Sequence, residues 1–131
     1  MDHALIRRVA EIAAEYLTSL PGRRVRADAS LDELRSALRV ALPDEPQPPL
    51  QVIEELVAAA NPGLVATQSP RYFGFVIGGG LDAAIAADWL TSMWDQNGAG
   101  YPVGPSAAVV EEVACEWLLD LLGLPDTRGW G

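Results

Sequence analysis

Lysine is missing from this sequence: all nine basic residues among its 131 are arginine. That excludes a side-chain Schiff base, a P-loop lysine and a lysine general base within the chain. The lone cysteine, Cys115, excludes an internal disulfide. With His3 as the single histidine, no metal cluster can be assembled from soft ligands. Positive charge is scarce as well. The formal net charge is −9, with the acids spread along the chain, which argues against a surface for nucleic acid or anionic lipid. The opening MDHALIRRVAEIAAEYL mixes charge into its apolar residues and so reads as neither signal peptide nor membrane span. A soluble cytoplasmic protein is the expectation.

What is present suits a globular chain of one domain: half the residues are apolar and 21% are charged. Leu5, Val9, Ile12, Ala13, Tyr16, Leu17 and Leu20 recur at helical spacing and form one stripe, stopped by Pro21-Gly22. Ser30 stands three residues before Glu33, the spacing of a capping box. The helix it starts carries Leu31, Leu34, Leu38 and reaches toward Leu42, before Pro43. Four prolines between Pro43 and Pro49 make an extended connector. A third helix is expected from about Leu50 to Ala60, ended by Asn61-Pro62-Gly63. Residues Arg71 to Ile77 (RYFGFVI) are aromatic and β-branched, suiting a short strand or an extended segment. After Gly78-Gly79-Gly80 a fourth helix is expected from about Asp82 to Gln96. The glycine-rich turn Gly98 to Gly104 then leads to a fifth, starting near Pro105-Ser106 and closed by Gly123, Leu124 and Pro125. The fold class is therefore mainly α, about five helices with one short strand or extended segment. The last two helices carry more apolar residues than one small core needs, so part of their surface is expected to meet a partner.

Several features invite a chemical reading. Gly78, Gly80 and Ala83 fit G-x-G-x-x-A, the spacing that lets a backbone approach a pyrophosphate. Against it, no second strand carries a ribose-binding acid, and Asp82 would repel phosphate, so a structural turn is the plainer reading, with a substrate-proximal loop as the other. His3 lies near a terminus, where a catalytic role has little support. Cys115 sits mid-helix with no histidine to activate it, as an inert thiol. Glu111 and Glu112 are adjacent, about 100° apart on a helix, and fit a solvated face or, near the helix start, partners of the helix dipole rather than a paired-carboxylate site. Arg23, Arg24 and Arg26 are suited to holding an anion, but in so acidic a chain they fit internal salt bridges better. No self-contained active site emerges.

Two stretches carry a more specific pattern: Ser69-Pro70-Arg71-Tyr72-Phe73-Gly74-Phe75, and Leu81 to Pro125. Their (H/S)PR(Y/F)F motif, AADWLTS helix, N-x-x-x-Y turn and P-x-x-x-x-x-E before WLLDLLGLP closely resemble the amino-terminal region of the group II pyridoxal-phosphate decarboxylases. That family includes aromatic amino-acid, glutamate, histidine and diaminobutyrate decarboxylases, and the likeness extends over nearly the whole chain to about Pro125. It implies the dimer-wrapping amino-terminal segment of a fold-type I enzyme, lying across the partner subunit with turns that help close the active sites. By the same resemblance Phe75, Val76, Gly78, Asn97, Ala99 and Tyr101 line the substrate pocket. Glutamate-specific members carry a polar amide where this chain has Phe75, so an apolar or aromatic substrate side chain is implied.

The chain departs from that family in what it lacks. The lysine aldimine, the acid against the pyridinium nitrogen and the stacking histidine all follow, in the family, the point where this sequence stops. The expected organisation is residues 1–125 as the amino-terminal helical segment, 126–131 as an aberrant or truncated tail, and no pyridoxal-phosphate-binding domain. No residue of this chain is expected to be catalytic, to hold the cofactor or to bind metal. The expected role is a part of an L-amino-acid decarboxylase that supplies dimer interface and pocket wall and is inactive alone. The expected partners are a second copy or a complementary chain that binds pyridoxal phosphate, with an amino acid as substrate and neither nucleic acid nor membrane. The alternative is a free-standing helical dimerisation module without catalysis.

Overall fold

The computed structural model describes residues 2–98 and 100–125, which form five α-helices and one 3-10 turn: α1 (His3–Ser19), α2 (Leu31–Leu38), α3 (Pro49–Ala60), the turn Asn61–Gly63, α4 (Asp82–Trp94) and α5 (Pro105–Leu122). They fall into two compact units, Met1–Gly80 and Leu81–Gly131. The tail expected at 126–131 lies outside the described residues.

In the first unit α1 begins because the Asp2 carboxylate accepts from the Ala4 amide at 2.8 Å. Its stripe turns inward: Leu5, Val9, Ile12, Ala13 and Tyr16 are half-buried and Leu20 is buried, whereas Leu17 faces water. The stripe meets α3 across a groove of about 420 Å³ floored by Val9, Ile12, Leu56, Val57 and Leu64. Arg8 spans the same pair of helices, reaching Glu11 and Glu15 on α1 and Glu54 on α3, each at 3.3 Å.

The box at α2 forms as its spacing requires. Ser30 Oγ accepts from the Glu33 amide at 3.3 Å, and the Glu33 carboxylate accepts from the Ser30 amide at 2.7 Å. That holds the Glu33 carboxyl below its ordinary value, chiefly through the Ser30 amide and then the Ser30 hydroxyl. The helix stops at Leu38, and Leu42 is left 92% exposed in the proline connector. Leu34 packs on the 3-10 turn so closely that a Cβ on Gly63 would lie 2.6 Å from its methyl carbon. The connector itself is exposed throughout, and Pro49 opens α3 at its first turn.

Two irregular segments are tied side by side without forming a sheet. The amides of Asp28 and Ala29 donate to the Pro62 carbonyl at 2.8 and 3.0 Å, and the Ala66 amide donates to the Val25 carbonyl at 2.9 Å. Arg23 donates to the Asn61 carbonyl at 2.8 Å while its guanidinium lies 5.1 Å from the centre of the Tyr16 ring. Arg71 donates to the Arg23 carbonyl, and Arg24 pairs with Asp28 at 3.1 Å. The arginine cluster thus works mainly as internal ties.

In the second unit α4 ends at Trp94, two residues short of Gln96, because Asp95 turns left-handed at φ 48° and breaks the helical path. Pro105 opens α5. Its end is a Schellman motif: Gly123 at φ 62°, with Gly123 N–H to the Asp120 carbonyl at 3.1 Å and Leu124 N–H to the Leu119 carbonyl at 2.9 Å. The two helices do not pack on each other. No residue of α4 or α5 is fully buried; Trp117 is 68% and Leu121 80% exposed. No helix of the described residues is long and apolar enough to cross a membrane.

Candidate functional site

The first three pocket-lining residues read from the sequence share one turn of the first unit. Its root is the best-buried part of that unit: Ala66 is fully covered and Ser69 nearly so. Ser69 Oγ accepts from the Arg71 amide at 3.3 Å, and the Ser69 carbonyl accepts from the Tyr72 amide at 2.9 Å. From that base the chain rises into a tight reversal closed by the Ile77 amide on the Gly74 carbonyl at 3.1 Å.

Its two central residues, Phe75 and Val76, have φ of 54° and 58°. Two positive φ values in sequence mark a type I′ turn, normally built from asparagine and glycine. A β-branched residue there is an outlier, since Cβ crowds the backbone. The segment 71–77, expected as a strand or extended, is therefore a run of turns. No strand occurs among the described residues for it to pair with, and the left-handed pair reverses the chain. The reversal holds both side chains outward, Phe75 92% and Val76 106% exposed. Gly78 follows in open space, with no other group within 4 Å of where a Cβ would stand.

Asn97 and Tyr101 share a second turn, in the second unit; Ala99, between them, lies outside the described residues. The Val103 and Gly104 amides both donate to the Gly100 carbonyl, at 3.2 and 3.1 Å, and Gly100 takes φ 119°. The Tyr101 hydroxyl donates to the Glu112 carboxylate on α5. That bond raises the phenol above its ordinary value of 10.0, with lesser contributions from desolvation and from the carboxylate charge. Treating Glu111 and Glu112 alike, as a solvated face, misses this contact. No periodicity of the sequence reports it, because the bond joins a turn to a helix residue eleven positions on.

His3 lies exposed on the first turn of α1, and Cys115 is half-buried in α5. The glycines 78–80 lie in irregular chain before α4, which begins without a side-chain cap. Among the described residues neither turn brings a nucleophile and a base together; the first exposes Phe75 and Val76, and the second carries the Tyr101–Glu112 bond.

The sequence profile described as the pyridoxal-dependent decarboxylase conserved domain matches residues 32–130. The chain belongs to this decarboxylase family. Bovine (Bos taurus) aromatic-L-amino-acid decarboxylase is 27% identical over 120 residues, covering 92% of this chain and 25% of that protein. Tryptophan decarboxylase 1 of Oryza sativa subsp. japonica is 27% identical over 120 residues, covering 92% of this chain and 23% of that one. Among solved structures, Oryza sativa TDC with PLP and tryptamine superposes with a TM-score of 0.81 at 26% identity, over 93% of this chain and 25% of that one. The chain thus spans about a quarter of the length of the relatives it matches. The family depends on pyridoxal phosphate, and this part of it is helical, as in the TDC structures. The residues present do not fit the anchoring of that cofactor, because no side chain among the 131 is a primary amine.

Proposed function

We propose that this chain is the amino-terminal interface and pocket-wall segment of an aromatic L-amino-acid decarboxylase, inactive alone and completed by polypeptide that carries the cofactor lysine. One observation carries the reading: a sequence of this family holds Phe75 and Val76 outward yet contains no lysine. Bound pyridoxal phosphate supplies the electron sink for loss of carbon dioxide. The part of this chain is to shape the space beside it. Phe75 and Val76, held out by their left-handed backbone, present an apolar edge that favours an aromatic side chain over a carboxylate. Gly78 leaves room behind them, and Asn97, Ala99 and Tyr101 form a second stretch of wall. The named relatives act on aromatic amino acids, which agrees with that edge.

The exposed faces of α4 and α5 and the groove between α1 and α3 are the surfaces for the completing partner, a second copy or a lysine-bearing chain in the cytoplasm. In this reading residues 1–125 make up the amino-terminal segment. Co-expression with the polypeptide encoded immediately downstream tests it. A stable complex that binds pyridoxal phosphate and decarboxylates L-tyrosine, L-tryptophan or L-DOPA is expected. A downstream sequence without a cofactor-binding domain, together with a monodisperse, well-folded monomer of this chain, would favour a free-standing module instead.

A further inference from the structure

The turn before α5 is fixed at both ends. Gly104 is buried against the Asn97 carbonyl, and the Ala108 amide already donates to the Gly104 carbonyl at 3.0 Å, so the turn runs directly into the helix. Between these points Tyr101 bridges eleven residues to Glu112. Helical side chains lean toward the amino terminus, so a glutamate two turns into α5 reaches back over the start of the helix. Glu111, about 100° round the helix, is exposed and points elsewhere.

The phenol has one proton, and a carboxylate has none to give in return. With that proton directed at Glu112, the outward side of the Tyr101 oxygen offers only lone pairs. We propose that Glu112 is a positioning residue for Tyr101, fixing its hydroxyl so that this stretch of wall presents a hydrogen-bond acceptor. Where the decarboxylase reading holds, such a wall suits a substrate side chain that carries a donor, an indole N–H or a phenol, over a bare phenyl ring; that last step rests on the proposed function, and the pairing itself does not.

The other charges of the turn and its flanks, Asp95, Glu111, Glu116 and Asp120, are all acidic and oppose a tyrosinate in the same direction. A variant at Glu111 therefore separates general negative charge from a specific partner. The test is a pH titration of the 131-residue chain labelled at the tyrosine ring carbon bearing oxygen, followed by NMR, with helicity checked by circular dichroism. The resonance lost in Tyr101→Phe is expected to titrate above 10.0 in the parent chain. Glu112→Gln is expected to bring it down, and Glu111→Gln to leave it nearly in place. Titration of that resonance at the ordinary phenol value in the parent, or equal responses to the two glutamine variants, would overturn the proposal. Both outcomes are read without any decarboxylase activity, so they stand apart from success or failure of the proposed function.

Discussion

The backbone carbonyl oxygen of Asn97 lies against Gly104, closer to the position a Cβ would take there than any side-chain carbon tolerates. The obstacle is main chain that cannot swing aside. The constraint is spatial, since Gly104 has an extended φ of −157° that any residue adopts. Gly104→Ala must therefore open the turn. It is expected to cost about 1–3 kcal/mol in local stability and to part Tyr101 from Glu112. The loss of the displaced phenol titration checks this, with amide exchange across residues 97–108 as a second readout.

Val76 carries the opposite kind of strain: room for its side chain, but a backbone that a β-branched residue rarely adopts. Val76→Asn keeps the turn with a residue that tolerates the left-handed region. It is expected to raise the stability of the first unit by about 1 kcal/mol, measured as the urea midpoint of that unit. In a completed enzyme the same change is expected to weaken substrate binding, because the apolar edge becomes polar.

The cap of α2 gives a pH dependence of known sign. Glu33 is held below its ordinary 4.5 when folded. Its contribution is therefore present above 4.5 and is lost as pH falls through the lower folded value. Ser30→Ala removes the hydroxyl from both halves of the box and leaves Glu33 only the backbone amide. It is expected to cost about 1 kcal/mol, with a smaller loss of helicity on acidification than in the parent. Helical circular dichroism between neutral and acidic pH measures both.

Leu121 tests what the greasy surface is for. At 80% exposure it has little to lose in the isolated chain, so Leu121→Ser is expected to change stability by no more than about 0.5 kcal/mol. If α5 is an interface helix, the same substitution lowers self-association or capture of a completing partner, seen by sedimentation. A core-sized loss of stability would show instead that Leu121 is buried within the chain's own fold.

Much of the helical pattern is legible in the residues because its signals are local. The Ser30–Glu33 box, Pro105 and the Gly123-Leu124-Pro125 stop each act within a turn or two, and each forms as its spacing requires. The helix ends near Leu42 and Gln96 are less legible. Apolar character alone does not say where a connector begins or where Asp95 turns left-handed. The segment 71–77 misleads for a related reason. Its β-branched and aromatic residues favour a strand only when a neighbouring strand exists, and here they sit in a strained reversal. The Tyr101–Glu112 bond is hidden because it joins a turn to a helix across a distance no periodicity reports. Burial is the least legible property: hydrophobic stripes say which face seeks cover, and α4 and α5 find none in each other.

In the function proposed above, these residues shape a decarboxylase pocket without performing its chemistry. Carbon dioxide release from carboxyl-labelled L-tyrosine, L-tryptophan and L-DOPA, by the purified 131-residue chain with added pyridoxal phosphate, tests it most directly. Release no faster than from cofactor and amino acid without protein is expected. Saturable, amino-acid-dependent release that survives removal of every other polypeptide would contradict it.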